Sequence, residues 1–211
     1  MTTPRIRPAV PTDVEAICSL VHGERFQEDG SGALLPVRAE QVRTLLKQPE
    51  LGSFFVAANQ HGGLAGCVSV VVYGLPQDYE AAMVRLRKRI AAGALKAQPR
   101  AGWTVLVEGE AGSGTVAELR SLVVSGAERG KGLGGDLIEV AKADARSRGF
   151  GELYSLVNEN AVALFERSGF QRAERTPQKL VVDCATCPIL ERCNEVPVVA
   201  KLGKSPSHPL G

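Results

Sequence analysis

Neither sign of charge dominates this chain. Its 25 Lys and Arg stand against 23 Asp and Glu, a formal net charge of +2 that leaves no electrostatic footprint for nucleic acid or a membrane surface. Long apolar runs are missing too: Val70-Val71-Val72-Tyr73 is far short of the roughly 20 residues that cross a bilayer. The opening residues Met1-Thr2-Thr3-Pro4-Arg5-Ile6-Arg7 carry no apolar core of an export signal, so the expectation is a soluble cytoplasmic protein. Five cysteines, an odd number without an export signal, argue against a disulfide framework, and Cys18 and Cys67 read as ordinary core residues. No repeat or low-complexity segment appears. What is present is 211 residues, 44% of them hydrophobic, enough for one core and a single domain with additions.

The most informative stretch is 116–170. A strand-like run over 116–124 feeds Glu128-Arg129-Gly130-Lys131-Gly132-Leu133-Gly134-Gly135, which opens a helical run over 133–148 with apolar residues at 133, 137, 138, 141 and 145. The glycines let the backbone approach a ligand closely, and the first amides of a helix lack internal partners at the positive end of its dipole. A phosphate or pyrophosphate is the natural target. The nucleotide P-loop pattern fails, because Ser125 holds the position of its first Gly and Gly132 follows Lys131. Gly130-x-Gly132-x-x-Gly135 fits the dinucleotide fingerprint, yet five residues separate it from the strand where that fold turns at once.

A third reading, Arg129-x-x-Gly132-x-Gly134, resembles the acyl-CoA pyrophosphate loop of the GNAT acetyltransferases. Downstream, Asn158-x-x-Ala161-x-x-Leu164-Phe165-Glu166-x-x-Gly169-Phe170 is similar to a strand-to-helix segment of the same superfamily. The resemblance implies an α/β (α+β) GNAT fold, a mixed, mostly antiparallel twisted sheet flanked by helices. It also implies acetyl-CoA as cosubstrate, held by Leu122, Val123 and Val124 at the strand end, by Arg129, Gly130, Lys131, Gly132, Leu133, Gly134 and Gly135 in the loop, and by Asn158 and Phe165 beyond it.

Elsewhere the pattern is that of alternating elements. Arg5-Ile6-Arg7 is extended, and Thr12 with Glu15 reads as a capping box before a helix carrying Val14, Ile17, Cys18 and Val21 inward. A second helix buries Val42, Leu45 and Leu46, and 53–58 with 64–73 read as a β-hairpin. Residues 74–113 stand where GNAT domains have a short turn, so they are an insertion, of a length that often covers an active site or makes dimer contacts. Within it Tyr79, Met83, Leu86 and Ile90 mark a helix whose Arg85, Arg87, Lys88 and Arg89 form either a solvated face or a surface for an acidic partner. Strands are expected at 153–157, 170–174 and 179–183, a short helix at 161–168, and a loose tail from 203. The domain therefore runs 1–183, with a cysteine-containing extension over 184–211.

For acyl transfer from a thioester to an amine, the resemblance assigns the general base to the strand before the loop. By period two, Val116, Glu118, Arg120, Leu122 and Val124 share one face, and burial of Glu118 in mid-sheet raises a carboxylate toward a useful base. The bland reading of Glu118 is a structural pair with Arg120. Where the superfamily commonly has a Tyr as acid this chain has Phe165, which leaves water, Tyr154 or an unassisted thiolate. Asp183-Cys184-x-x-Cys187-Pro188 with Cys193-Asn194-Glu195, and Leu34-Leu35-Pro36 near the first helices, resemble short amino-acid N-acetyltransferases of the N-acetylglutamate synthase type. That implies a small carboxylate-bearing amine such as glutamate, with Arg38 and Arg120 as candidates for its carboxylate. Cys184, Cys187 and Cys193 also have metal-knuckle spacing; zinc would need a fourth ligand, and three reduced thiols packing a loop is the alternative. A dinucleotide-binding oxidoreductase and a non-catalytic acyl-CoA-binding module are the rival functions.

Overall fold

The computed structural model describes residues 4–29, 39–59, 62–74, 115–174 and 195–203, with positions 81, 84, 85, 88, 91, 92, 176, 177, 180 and 184 besides. A seven-stranded sheet organises them, in the order β1-β2-β3-β4-β5-β7-β6. Its strands are β1 (Arg5–Pro8), β2 (Gly52–Ala58), β3 (Leu64–Tyr73), β4 (Val116–Val124), β5 (Glu152–Asn158), β6 (Gln171–Arg172) and β7 (Glu195–Lys201). Every neighbouring pair is antiparallel except β4 with β5. The mixed, mostly antiparallel sheet flanked by helices is thus the expected fold class.

Helices cover both faces because the strands carry apolar residues on both. On the front, α1 (Val14–Asp29) and α2 (Ala39–Lys47) set Val14, Ile17, Val21 and Val42 against Phe54, Val56, Cys67 and Val123. On the back, α3 (Leu133–Ser147) sets Leu133, Leu137, Ile138, Ala141 and Ala145 against Val68, Val70, Ala117 and Leu119. Spacing of three and four along α3 places that whole set on one stripe. The short helix α4 (Val162–Arg167) adds Val162 and Phe165 to the same core. Helix α3 closes with Gly149 at φ +85°: Phe150 N donates to Ala145 O at 3.1 Å, and Arg148 Nε reaches Asp144 at 2.8 Å.

Several sequence expectations change. Thr12 does not cap α1; it sits inside a 3-10 turn (Pro11–Asp13) that leads into the helix, and Asp13 fastens that turn, accepting from Val10 N at 2.8 Å while Arg7 forks onto its two oxygens at 2.7 and 2.9 Å. The strand expected over 170–174 shrinks to β6. Leu180 stands in a turn, its amide on Pro177 O at 3.0 Å, where a strand was expected. Most consequential, β7 lies inside the sheet between β5 and β6 and pairs with β5 along its whole length. A domain boundary at residue 183 therefore severs a strand from its sheet. Within 74–113 the described positions Ala81, Val84, Arg85, Lys88 and Ala91 are helical, as the periodicity predicts.

Candidate functional site

Strand β4 carries the site, and a bulge divides it. Cys67 stands opposite Val123 and Ser69 opposite Arg120, so two β4 residues, Ser121 and Leu122, face the single Val68. Ser121 takes φ 52°, left-handed and unusual for a residue with a Cβ. The extra residue reverses the alternation of side chains. Before it, Ala117 and Leu119 enter the back core, so Glu118 and Arg120 face the front. After it, Leu122 and Val124 pack on the back core and Val123 on the front. The five residues expected to share one face by period two therefore do not; the bulge parts Leu122 and Val124 from Glu118.

On its other edge β4 is joined to β5 by a single registered pair, Glu118 with Tyr154, reinforced by Ser155 Oγ donating to Leu119 O at 2.9 Å. Beyond that point toward the C-terminal ends no further β4–β5 register exists among the described residues. An open edge of β4 results, running into the glycine loop.

The loop holds its amides ready. Gly130 and Gly132 adopt φ of +76° and +90°, conformations that disfavour any side chain, and open space lies where their Cβ atoms would be. The amides of Gly135 and Asp136 turn back onto Gly132 O at 2.9 and 3.2 Å. Among the described residues no protein acceptor meets the amides of Gly130, Lys131, Gly132, Leu133 and Gly134. Arg129 braces the loop through Nε on Val124 O at 3.1 Å, and Lys131 pairs with Glu128 at 3.2 Å. Five consecutive open amides at the start of a 15-residue helix form an anion cradle.

Glu118 is 3% exposed, the most buried acidic residue described, and Arg120 Nε lies 3.6 Å from its Oε2. The expected structural pair thus exists as an ion pair too long for a hydrogen bond. Arg120 also donates through Nη1 to the Tyr73 hydroxyl and sits 6.0 Å from the Tyr73 ring centre. Tyr73, at the end of β3, escaped the sequence reading; the signal was its place two residues on from Val71, which stands opposite Glu118.

Tyr154 donates to Glu152 at 2.7 Å, and burial first, then that carboxylate, pushes its phenol well above the ordinary tyrosine range. A proton held so firmly is a weak source for a leaving thiolate. Phe165 is 3% exposed and packs edge-on to Phe170 at 5.1 Å, which leaves little of its ring for a ligand. Asn158 is exposed and uses its side chain to accept from Asn160 N at 2.9 Å, opening the turn before α4. Arg38, Cys187 and Cys193 lie outside the described residues; Cys184 is buried.

Comparisons with known proteins agree with this geometry. A sequence profile of the acetyltransferase (GNAT) family matches residues 22–170. An uncharacterized N-acetyltransferase of Chlorobaculum tepidum is 36% identical over 89 residues, which are 41% of this chain and 56% of that relative's length. The backbone resembles that of a phosphinothricin acetyltransferase of Sinorhizobium meliloti in complex with acetyl-CoA, with a TM-score of 0.58 over 96% of this chain and 90% of the other at 14% identity. It also resembles the N-acetylglutamate synthase of Neisseria gonorrhoeae in complex with coenzyme A and N-acetyl-glutamate, with a TM-score of 0.60 and 19% identity over 97% of this chain but 36% of that one. At such identities the likeness is one of fold. No described helix is long and apolar enough to cross a membrane.

Proposed function

Because the chain belongs to the acetyltransferase (GNAT) family, we propose that it transfers the acetyl group of acetyl-CoA to a primary amine by direct attack in a ternary complex. The observation that carries this reading is the pairing, on one strand, of an open-amide cradle at its end with a buried carboxylate at its middle. The pyrophosphate is held by the amides from Gly130 to Gly134, and Lys131 and Arg129 supply charge beside them. The amide-bearing arm of the coenzyme follows the open edge formed by Leu122, Val123 and Val124, using backbone groups that β5 leaves unmatched. That brings the thioester to the closed end of the gap, near Glu118.

There Glu118 accepts a proton from the acceptor's ammonium group, and the neutral amine attacks the carbonyl carbon. A C–N bond forms, the C–S bond breaks, and coenzyme A leaves as a thiolate; the second proton, shed by the nitrogen as it becomes the amide, passes through water to that thiolate. No described side chain needs to act as acid, because a thiolate is a competent leaving group. Zinc enters no step.

For the acceptor we assign a small carboxylate-bearing amine such as glutamate. Arg120 supports this: its side chain is 36% exposed, shares the front face with Glu118 and is held in place by Tyr73, so it can grip a carboxylate while the amine meets Glu118. Arg38 is the second candidate for that grip. Thermal-shift measurement with acetyl-CoA, CoA, NAD and NADP tests the donor, since a ligand at a hundred times its dissociation constant adds about 2.7 kcal/mol to stability. Stabilisation by NAD alone would sink the reading. CoA release with a panel of amines tests the acceptor; activity on spermidine with none on glutamate would remove the carboxylate assignment and leave the acetyl transfer standing.

A further inference from the structure

Three consecutive carbonyls of β4 are held by buried side-chain donors. Ser155 Oγ on β5 donates to Leu119 O at 2.9 Å, Ser69 Oγ on β3 donates to Arg120 O at 3.1 Å, and the Cys67 thiol on β3 donates to Ser121 O at 3.5 Å. All three donors are inside the protein, at 3%, 1% and 0% exposure. Only five polar or charged residues are buried among those described, and two of them are these serines. A hydroxyl in an apolar sheet is unfavourable unless it is hydrogen-bonded, so the placement calls for a backbone group that needs it. The carbonyls concerned span the place where β4 departs from regular geometry: Leu119 O at the last contact with β5, Arg120 O entering the bulge, and Ser121 O on the left-handed residue itself.

We infer that Cys67, Ser69 and Ser155 form a three-donor clasp that sets the bulge and the opening between β4 and β5, and so act as positioning residues for acyl transfer. The clasp rests on the proposed acetyltransferase reading for its purpose, though not for its existence. Without the bulge, alternation would carry Leu122 and Val124 round to the face of Glu118 and Arg120, and the edge offered to the donor would turn with them. Each donor reaches β4 from a different direction or a different step along it: two from β3 on one edge, one from β5 on the other. Together they oppose both ways in which the strand could relax, by slipping the bulge along β3 or by zipping further onto β5.

The test uses the full-length protein with Ser69→Ala, Ser155→Ala and the double variant, alongside Ser69→Thr, which keeps the hydroxyl. Hydrogen exchange over 116–124 is read without ligand, and acetyl-CoA affinity and turnover are read separately. The clasp predicts faster exchange in 116–124 for each alanine variant, with regions such as the β1–β2 pairing unmoved. It also predicts a turnover loss of about tenfold or more in the double variant, on the scale of misplacing reacting groups by a fraction of an ångström. Ser69→Thr should restore the exchange pattern and most of the turnover. If the double variant does not fold, the single variants carry the same comparison. Exchange over 116–124 and turnover both matching wild type in a folded alanine variant would overturn the clasp. Failure of the wild type to bind acetyl-CoA would instead overturn the acetyltransferase reading, while the exchange data still decide the clasp.

Discussion

The two halves of β4 do different work with the same backbone. From Val116 to Arg120 the strand is bounded by β3 and β5, and it addresses its surroundings through charged side chains, Glu118 and Arg120, on the front. From Ser121 to Val124 it is paired to β3 alone and offers an open backbone edge that continues into five unsatisfied loop amides. Recognition by backbone depends on conformation and close approach; recognition by side chain depends on charge and hydrogen-bond geometry. Substitutions in the two halves should therefore fail in different ways.

The largest effect is expected on the backbone side. Gly132→Asp places a side chain at φ +90° and a negative charge where a pyrophosphate approaches, and Gly134→Asp adds the same charge two residues on, with only the tip of Leu164 at 3.3 Å to move aside. Both should abolish measurable acetyl-CoA binding in a folded protein, and calorimetric affinity close to wild type would refute the cradle. On the side-chain half, Glu118→Gln should lower turnover roughly a hundredfold at neutral pH while acetyl-CoA affinity stays. Much of that loss should return at high pH, where the amine deprotonates unaided; an unchanged pH–rate profile would return Glu118 to a structural pair with Arg120.

Arg120→Lys is a finer probe, because it keeps the charge and loses the fork. The Michaelis constant for a carboxylate-bearing amine should rise about tenfold, the scale of one charge-assisted hydrogen bond, with that for acetyl-CoA barely moving. Equal rises in both would dissolve the distinction between the halves.

The smallest effect tests the scaffold of the front. Asp13 fastens the 3-10 turn that leads into α1, and the Arg7 hydrogen bonds hold its carboxyl below the ordinary aspartate range. A lowered folded pKa stabilises above the unfolded value of about 3.9 and loses that contribution as pH falls through the folded one. Asp13→Asn keeps an acceptor oxygen but removes the charged partner of the Arg7 fork, so it should cost about 1 kcal/mol near neutrality, the upper end for a part-exposed ion pair, with the gap to wild type closing in acid. Denaturant titrations at several pH values check this, and a gap that widens below pH 4 would contradict the linkage.

How much of this was legible in the sequence follows the same division. The strand, loop and helix from 116 to 148 announce themselves because glycine spacing and an i, i+3, i+4 stripe are local properties. The bulge does not, since Ser121 in a left-handed conformation is enforced by its neighbours on β3 rather than by its own preference. Strand β7 was hidden by Pro197, which ordinarily argues against an interior strand. Here Pro197 O accepts from Ala173 N at 2.9 Å, and in an antiparallel strand a residue's nitrogen points the same way as its oxygen. The missing N–H thus falls on the β6 side, where that ladder ends, and the ladder to β5 loses nothing. The Arg120–Tyr73 contact joins residues 47 apart in the chain, beyond the reach of any local pattern.

The solitary registered pair between Glu118 and Tyr154 has a kinetic consequence. Strands β2 and β3 form a hairpin whose contacts can assemble early, whereas the parallel junction requires the whole of α3 to be in place between its two partners. Closing long loops before any contact rewards them is slow, so we expect the β4–β5 junction to be the last part of the sheet to consolidate. A folding chain would pass through a state in which the front meander and the β5–β7 ladder are each protected but still swing against one another. Pulse-labelling exchange during refolding would detect it, and protection of the Tyr154 amide, which alternation turns toward β4, as early as that of Val68 would contradict the expected order.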